Sequence, residues 1–183
     1  PDGLLAGNIS WINDWSSMRT GLDGKIYAVV KAWNVNGIWR FNGTGWTRIL
    51  GDASGQNGSC PDDTAATSCR TRVADVFVTE NGTVYFLDDG LIRTITPGNK
   101  VVTLMGQSQI SGLNGPSLSA RLSNFIRTFR MADDGRIAFG SQVTHTLYEI
   151  DPTGNLYNIA GNGTVGAPTL GVDAKTTYLN LEH

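Results

Sequence analysis

Two landmarks recur along this chain, and together they confine it to a tandem array of small antiparallel sheets. The first is a turn. Asp23-Gly24-Lys25-Ile26-Tyr27, Asn81-Gly82-Thr83-Val84-Tyr85 and Asp134-Gly135-Arg136-Ile137-Ala138 share one pattern, with their glycines 58 and 53 residues apart. The second is a glycine that ends an apolar run. Gly51, Gly106 and Gly161, each 55 residues from the next, close the runs 46–50, 101–105 and 156–160.

Each copy reads as four short strands. The first predicts 17–21, 25–30, 38–41 and 46–50; the second 74–79, 83–87, 91–95 and 101–105; the third 127–132, 136–140, 146–150 and 156–160. Asp-Gly, Asn-Gly-Thr-Gly, Thr-Pro-Gly-Asn and Asp-Pro-Thr-Gly separate them, and such dipeptides mark turns. Of the five Asn-x-Ser/Thr sequons, at Asn8, Asn42, Asn57, Asn81 and Asn162, the last four are Asn-Gly, which predicts tight hairpins with both central residues at positive φ. No segment keeps a helical period, so the fold class is all-β. A four-stranded antiparallel unit of about 55 residues in tandem is one blade of a β-propeller. A lone sheet cannot bury both faces, so blades stack face to face. Short apolar pairs on the innermost strands, Met18 with Thr20, Val76 with Val78 and Phe129 with Met131, are expected at that contact.

The residues also resemble a known family. The run 76–106, then Gly115-Pro116 and Ala120-Arg121-Leu122, is similar to the NHL repeat, and so is Ile159-Ala160-Gly161-Asn162-Gly163 followed by Gly166-Ala167-Pro168 and Ala174. The resemblance covers nearly the whole chain and is strongest over 73–174. It implies propeller architecture and leaves function open, because the family holds scaffolds, protein, glycan and RNA binders and a few lyases. The first copy departs from the pattern: Asn36-Gly37-Ile38-Trp39-Arg40-Phe41-Asn42-Gly43-Thr44-Gly45-Trp46 looks more like blades of bacterial extracellular propeller proteins.

Propellers close with roughly 4–8 blades, so three blades predict half, or a fragment, of a six-bladed ring. The expected division of this single propeller region, 1–183, is a closing strand of a preceding blade at 1–9, blade 1 at 10–69, blade 2 at 70–120, blade 3 at 121–174 and a lead-in to a next blade at 175–180. Residues 181–183, Leu-Glu-His, look like a cloning scar before a tag. A homo-oligomer, or the remainder of a longer propeller, is the partner such an arc requires.

Composition excludes several functions. With 14 Lys and Arg against 16 Asp and Glu the net charge is −2, which supplies no basic stripe for nucleic acid. No apolar run reaches the roughly 18 residues of a membrane span. Cys60 and Cys69 bracket eight residues, too wide for a redox Cys-x-x-Cys and without partners for zinc. They predict a disulfide that staples an exposed loop, and with it a secreted, periplasmic or cell-surface setting.

Function is expected where loops gather: the connectors 52–70, 107–122 and 162–176, and the turns 31–37, 88–90 and 141–145. Long loops on a rigid scaffold tend to carry binding. Candidate ligand contacts are Trp11, Trp33, Asn34, Asn36, Asp88, Asp89, Gln142 and His145. A flat indole beside amide side chains suits a sugar face or a protein hot spot. Only two histidines occur in the chain, His145 and His183, too few for the zinc lyases or histidine chemistry that the resemblance brings into view. No catalytic residue and no cofactor are therefore expected; the weak metal candidates are Asp62 and Asp63, for calcium, since hard cations take oxygen ligands. The reading is a non-catalytic extracellular module that binds a protein or glycan ligand through its loop face. Its alternatives are a carboxylate-metal lactonase or lyase and a half-propeller that assembles by homodimerisation.

Overall fold

A computed structural model describes residues 3–5, 15–31, 35–105, 115–116, 126 and 129–181. The chain divides into two compact units, residues 1–103 and 104–183. Strands β1 to β14 run in chain order as Gly3–Leu5, Trp15–Thr20, Ile26–Val30, Gly37–Phe41, Gly45–Leu50, Val73–Val78, Val84–Asp88, Leu91–Ile95, Val101–Met105, Gly115–Pro116, Phe129–Met131, Ile137–Ser141, Thr146–Ile150 and Asn155–Ala160. Apart from a 3₁₀ turn at Ala66–Ser68, the described residues contain no helix.

Three four-stranded antiparallel sheets result, β2–β5, β6–β9 and β11–β14, each in simple sequence order. They are the expected blades, with strand ends within two residues of the sequence reading. A further strand lies outside the fourth strand in two of them. Gly3–Leu5, expected to close a preceding blade, pairs with Gly45–Thr47 on the edge of blade 1, and Gly115–Pro116 pairs with Asn155 and Leu156 on blade 3. Blade 2 has the same feature reduced to one bridge, Ala65 to Lys100.

The repeated turn has a common mechanism. Its Asp or Asn side chain accepts the backbone N–H two residues on, from Lys25 (3.1 Å), Thr83 (3.1 Å) and Arg136 (3.2 Å). The glycine between them sits at φ +76°, +82° and +86°. Only the glycine is left-handed; Asn42, Asn81 and Asn162 are not. The turns are therefore not the two-residue type with two positive φ values that Asn-Gly predicts. Gly24 N–H donates to Gly21 O (3.0 Å) and Gly21 N–H to Lys25 O (2.8 Å), a tight turn followed by a left-handed glycine at a bulge. In the first copy the side chains extend the motif. Tyr27 donates to Asp23 (2.9 Å), and burial with that carboxylate's charge pushes the phenol up to about 12.

The glycines at 55-residue spacing are explained by close approach. A Cβ on Gly51 (φ +115°) would stand 2.4 Å from Asn36 O, and one on Gly161 (φ +91°) 2.4 Å from His145 O. Gly106 lies outside the described residues. Gly51→Ala is expected to cost about 1–3 kcal/mol from backbone strain alone, with the clash added; an unchanged urea midpoint would disprove this account.

Within the first unit, blades 1 and 2 pack face to face. Tyr27, Val29, Ile38 and Leu50 from one meet Val73, Val76, Val78, Phe86 and Val101 from the other. Buried residues alternate along β9, and along β6 they do so from Val76 to Val78, after a bulge between Val73 and Asp75, so each strand presents one face to that core. Arg19 pairs with the buried Asp75 across the same contact (3.1 Å). A second cluster, on the other face of blade 1, gathers Ala28, Val30, Trp39 and Trp46, so both of these indoles are core residues. Val76, Val78 and Phe129 are buried as expected, but Met18 is 52% exposed and Met131 half-buried. The expected apolar pairs thus fail at these two methionines.

Candidate functional site

In the first unit, loops that the sequence places at one end of the sheets do converge. Asn36 ends the β3–β4 loop, Asn57 lies in the connector 52–70, and Thr71 and Arg72 lead into β6. The Asn36 amide donates to Asn57 Oδ1 (2.6 Å) and to Thr71 O (2.7 Å). Asn36 and Thr71 are both buried. Each keeps one oxygen, Asn36 Oδ1 and Thr71 Oγ1, that is buried and has no hydrogen-bond partner among the described residues. A buried polar atom without a partner costs about 1–3 kcal/mol, so these are groups that a donor from water or ligand would satisfy.

The rest of this face is charged and tightly paired. Asp88 accepts Arg72 N–H (2.7 Å) and takes Arg93 Nη1 (3.0 Å). It is 4% exposed, and burial raises its pKa despite those bonds. Asp89, exposed and left-handed at φ +49°, pairs with Arg72 at 3.6 Å. Asp52 holds Arg70 Nε (3.0 Å) and Ser54 Oγ (2.7 Å), and its backbone oxygen accepts from Arg48. Burial alone would raise the Asp52 carboxyl, but Ser54 and Arg70 hold it below the usual range.

The two weak metal candidates lie side by side in the connector that packs on blade 2. Asp62 Oδ1 accepts Thr103 Oγ1 (2.7 Å), Arg93 Nη2 (2.9 Å) and Thr103 N–H (3.0 Å). Its burial raises the carboxyl, yet the Thr103 and Arg93 bonds outweigh that and leave it lowered. Asp63, at φ +62°, donates its N–H to Val101 O (2.9 Å). Among the described residues no three His, Cys, Asp or Glu side chains gather closely enough to hold a metal. Cys60 and Cys69 form the expected disulfide, and both are buried in the core between blades 1 and 2.

In the second unit the equivalent turn is Ser141–His145. Gln142 is half-buried and Val143 is 53% exposed. His145 is left-handed at φ +43°, its Nδ1 buried with no partner among the described residues. Thr144 Oγ1 and Tyr148 OH share a hydrogen bond (3.1 Å). Trp11, Trp33 and Asn34 lie outside the described residues. The structure thus brings together Asn36, Asp88 and Asp89, and adds Asn57, Thr71 and Arg72, which sequence reasoning missed. Asn57 had appeared only as a turn residue. Thr71 and Arg72 had appeared only as the approach to a strand.

At the other end of blade 1 an open groove of about 580 Å3 is lined by Lys25, Ile26, Arg40 and Phe41 among others. Lys25 is held there by Asp23 at 2.9 Å.

No family model and no curated protein matches the chain. Solved structures do. A protein of unknown function from Bacteroides thetaiotaomicron matches with TM-score 0.58 at 16% identity, over 85% of this chain and 37% of its own. An auxiliary nutrient binding protein from Bacteroides ovatus matches with TM-score 0.58 at 16% identity, over 87% of this chain and 40% of its own. A catalytically inactive virginiamycin B lyase from Staphylococcus aureus matches with a TM-score of 0.45 at 14% identity, over 85% of this chain and 42% of its own. The chain therefore spans about two fifths of the length of the first two of these structures. At this identity the likeness shows a propeller-type fold and stops there.

Proposed function

We propose that this chain is part of a non-catalytic, extracellular binding module that takes a polar ligand, a glycan or a protein segment, on the loop face of its blades. The observation that carries the reading is the pair Asn36 Oδ1 and Thr71 Oγ1, buried and without a partner among the described residues where three loops meet. Strong side-chain carboxylates nearby are consumed by Arg72 and Arg93, which favours recognition by neutral amide and hydroxyl groups over metal chemistry. Trp33 and Asn34 precede Asn36 in the same loop and would supply a stacking surface for a sugar ring. The disulfide suits an oxidising compartment. The printed name of one similar structure, an auxiliary nutrient binding protein, accords with this reading.

A glycan array, followed by titration of any hit, tests it. Trp33→Ala and Asn57→Ala should each weaken binding at least tenfold, the second with a melting temperature lower by a few degrees because the buried Asn36 amide loses an acceptor. A hit indifferent to both variants, or a stoichiometric divalent metal in the purified protein, counts against the loop-face reading.

A further inference from the structure

Asn-Gly occurs six times in the chain, at Asn36, Asn42, Asn57, Asn81, Asn114 and Asn162. Such a pair carries a latent reaction. Glycine has no Cβ to shield its nitrogen and turns freely about φ and ψ, so that nitrogen can reach the carbonyl carbon of the preceding side chain. Asn114 lies outside the described residues, and the fold holds the other five unequally. Four are tied down. Asn36 is 4% exposed, and its amide nitrogen donates to both Asn57 Oδ1 (2.6 Å) and Thr71 O (2.7 Å). Asn42 Oδ1 accepts Thr44 N–H (3.0 Å) and Gly45 N–H (2.8 Å), while its own N–H donates to Gly45 O (3.0 Å). Asn81 Oδ1 accepts Thr79 Oγ1 (2.6 Å) and Thr83 N–H (3.1 Å). Its neighbour Gly82 already donates its N–H to Thr79 O (2.9 Å). Asn162 is bonded at N–H, Oδ1 and Nδ2, to Thr177 O, Thr164 N–H and Thr176 O. Bringing the glycine nitrogen onto Cγ in these four means rotating side chain and backbone out of those bonds.

Asn57 differs. Among the described residues its side chain is bonded at Oδ1 alone, by the buried Asn36 amide, and neither Asn57 nor Gly58 makes a backbone hydrogen bond. Asn57 is exposed, and its Nδ2 is free to leave. The Asn36 donor lies on the oxygen that gains negative charge when the carbonyl carbon is attacked, the placement by which an oxyanion hole lowers a barrier. Asn36 is itself fixed there by its bond to Thr71 O. Packing also requires glycine at 58, where a Cβ would stand 2.6 Å from Arg70 Cβ. The fold thus keeps beside Asn57 the one residue type that reacts with it readily.

We infer that Asn57 is a site of spontaneous deamidation, by which the loop face exchanges a neutral amide for a carboxylate. The Gly58 nitrogen loses its proton and bonds to Asn57 Cγ. The Cγ–Nδ2 bond then breaks, and Nδ2 takes up a proton and leaves as ammonia. Water opens the five-membered imide at either carbonyl, its hydroxyl going to the carbon and its hydrogen to the nitrogen. Opening at Cγ re-forms the imide's backbone peptide and leaves an aspartate side chain; opening at the backbone carbonyl leaves isoaspartate, with the chain rerouted through the side chain. Both products put a negative charge against the Asn36 amide. An effect of that charge on ligand binding rests on the proposed function; the conversion itself does not.

Peptide mass mapping of the full chain, aged in buffer and in parallel in urea with the disulfide intact, tests this site by site. Unfolding removes the differences between sites that the fold imposes. In buffer, Asn57 should convert within about threefold of its rate in urea, and Asn36, Asn42, Asn81 and Asn162 at least about tenfold more slowly than in urea, since their reacting atoms are held apart. The Asn57 rate should rise from pH 6 to pH 8, because the Gly58 nitrogen must lose a proton. Asn57→Gln, whose longer side chain would have to close a larger ring, should abolish the product at this position. Protection of Asn57 equal to that of the other four overturns the inference, as does faster conversion of any of them in the folded chain. A converted chain that binds a glycan hit unchanged counts instead against the loop-face reading and leaves the deamidation standing.

Discussion

Replacing Arg93 by Ala lowers the stability of the fold by about 3–5 kcal/mol, the cost of breaking a buried ion pair by removing one partner. Its guanidinium is 2% exposed and bonds Asp88 Oδ2 (3.0 Å) and Asp62 Oδ1 (2.9 Å). Asp88 belongs to β7 of blade 2, while Asp62 belongs to the connector leaving blade 1. One cation therefore ties the connector to the sheet that it covers. Without Arg93, Asp88 keeps only the Arg72 N–H bond, in a site where burial already raises its pKa. A raised folded-state pKa favours folding below the unfolded value of about 3.8, and that contribution is lost as pH rises through the folded value. In the variant the raise is larger, so more stability is missing at pH 7 than at pH 4. Asp62 has the opposite sign. Its lowered pKa gives wild-type stability that is present above the usual carboxylate range and lost as pH falls through the folded value. Both effects narrow the gap between wild type and variant in acid. Urea melts at pH 7 and pH 4 measure it, and a gap that widens at pH 4 would show that Asp88 is not the group left uncompensated.

Most of the sheet architecture could be read from residue spacing, because a blade is built from local hairpins whose turn chemistry is written in adjacent residues. Asp23-Gly24-Lys25 states its own turn: an acceptor side chain, a left-handed glycine and an N–H to receive. What spacing could not give was long-range pairing. Arg93 and Asp62 are 31 residues apart, and nothing local to either marks the other. Asp62 reads in the sequence as a weak calcium candidate because hard cations take oxygen ligands. The three bonds to its Oδ1, which tie the connector to blade 2, could not be read there. Met18 misled in the other direction. Alternation put it on the inner face of its strand, and the exposed side chain shows that alternation names a face without naming what covers it. The candidate site lay between these cases. Asn36 was legible as an amide in a long loop, whereas Thr71 became a partner only once the connector had folded back to the start of β6.

The second large effect belongs to the disulfide. Cys60→Ala with Cys69→Ala removes a bridge spanning a sequence separation of 9 residues, worth roughly 2.5 kcal/mol as lost denatured-state entropy. A packing loss adds to this, because Cys69 is 1% and Cys60 7% exposed within the core between blades 1 and 2. Denaturant slope separates the two sources. Freeing the loop lets the denatured chain expand and expose more surface, so the urea m-value should rise as the midpoint falls. Pure loss of packing would lower the midpoint at constant m. The disulfide and Arg93 fasten the same connector, at residues 60–69 and at Asp62, so their effects should not add. With Arg93 already replaced, Asp62 holds the loop only through Thr103, and the bridge carries more of the task of keeping Asp63 and Ala66 near Val101 and Asn99. The triple variant should then lose hydrogen-exchange protection at those two amides, although each parent variant retains some. Additive free energies with that protection intact would mean that the backbone pairing of this connector stands without either fastening.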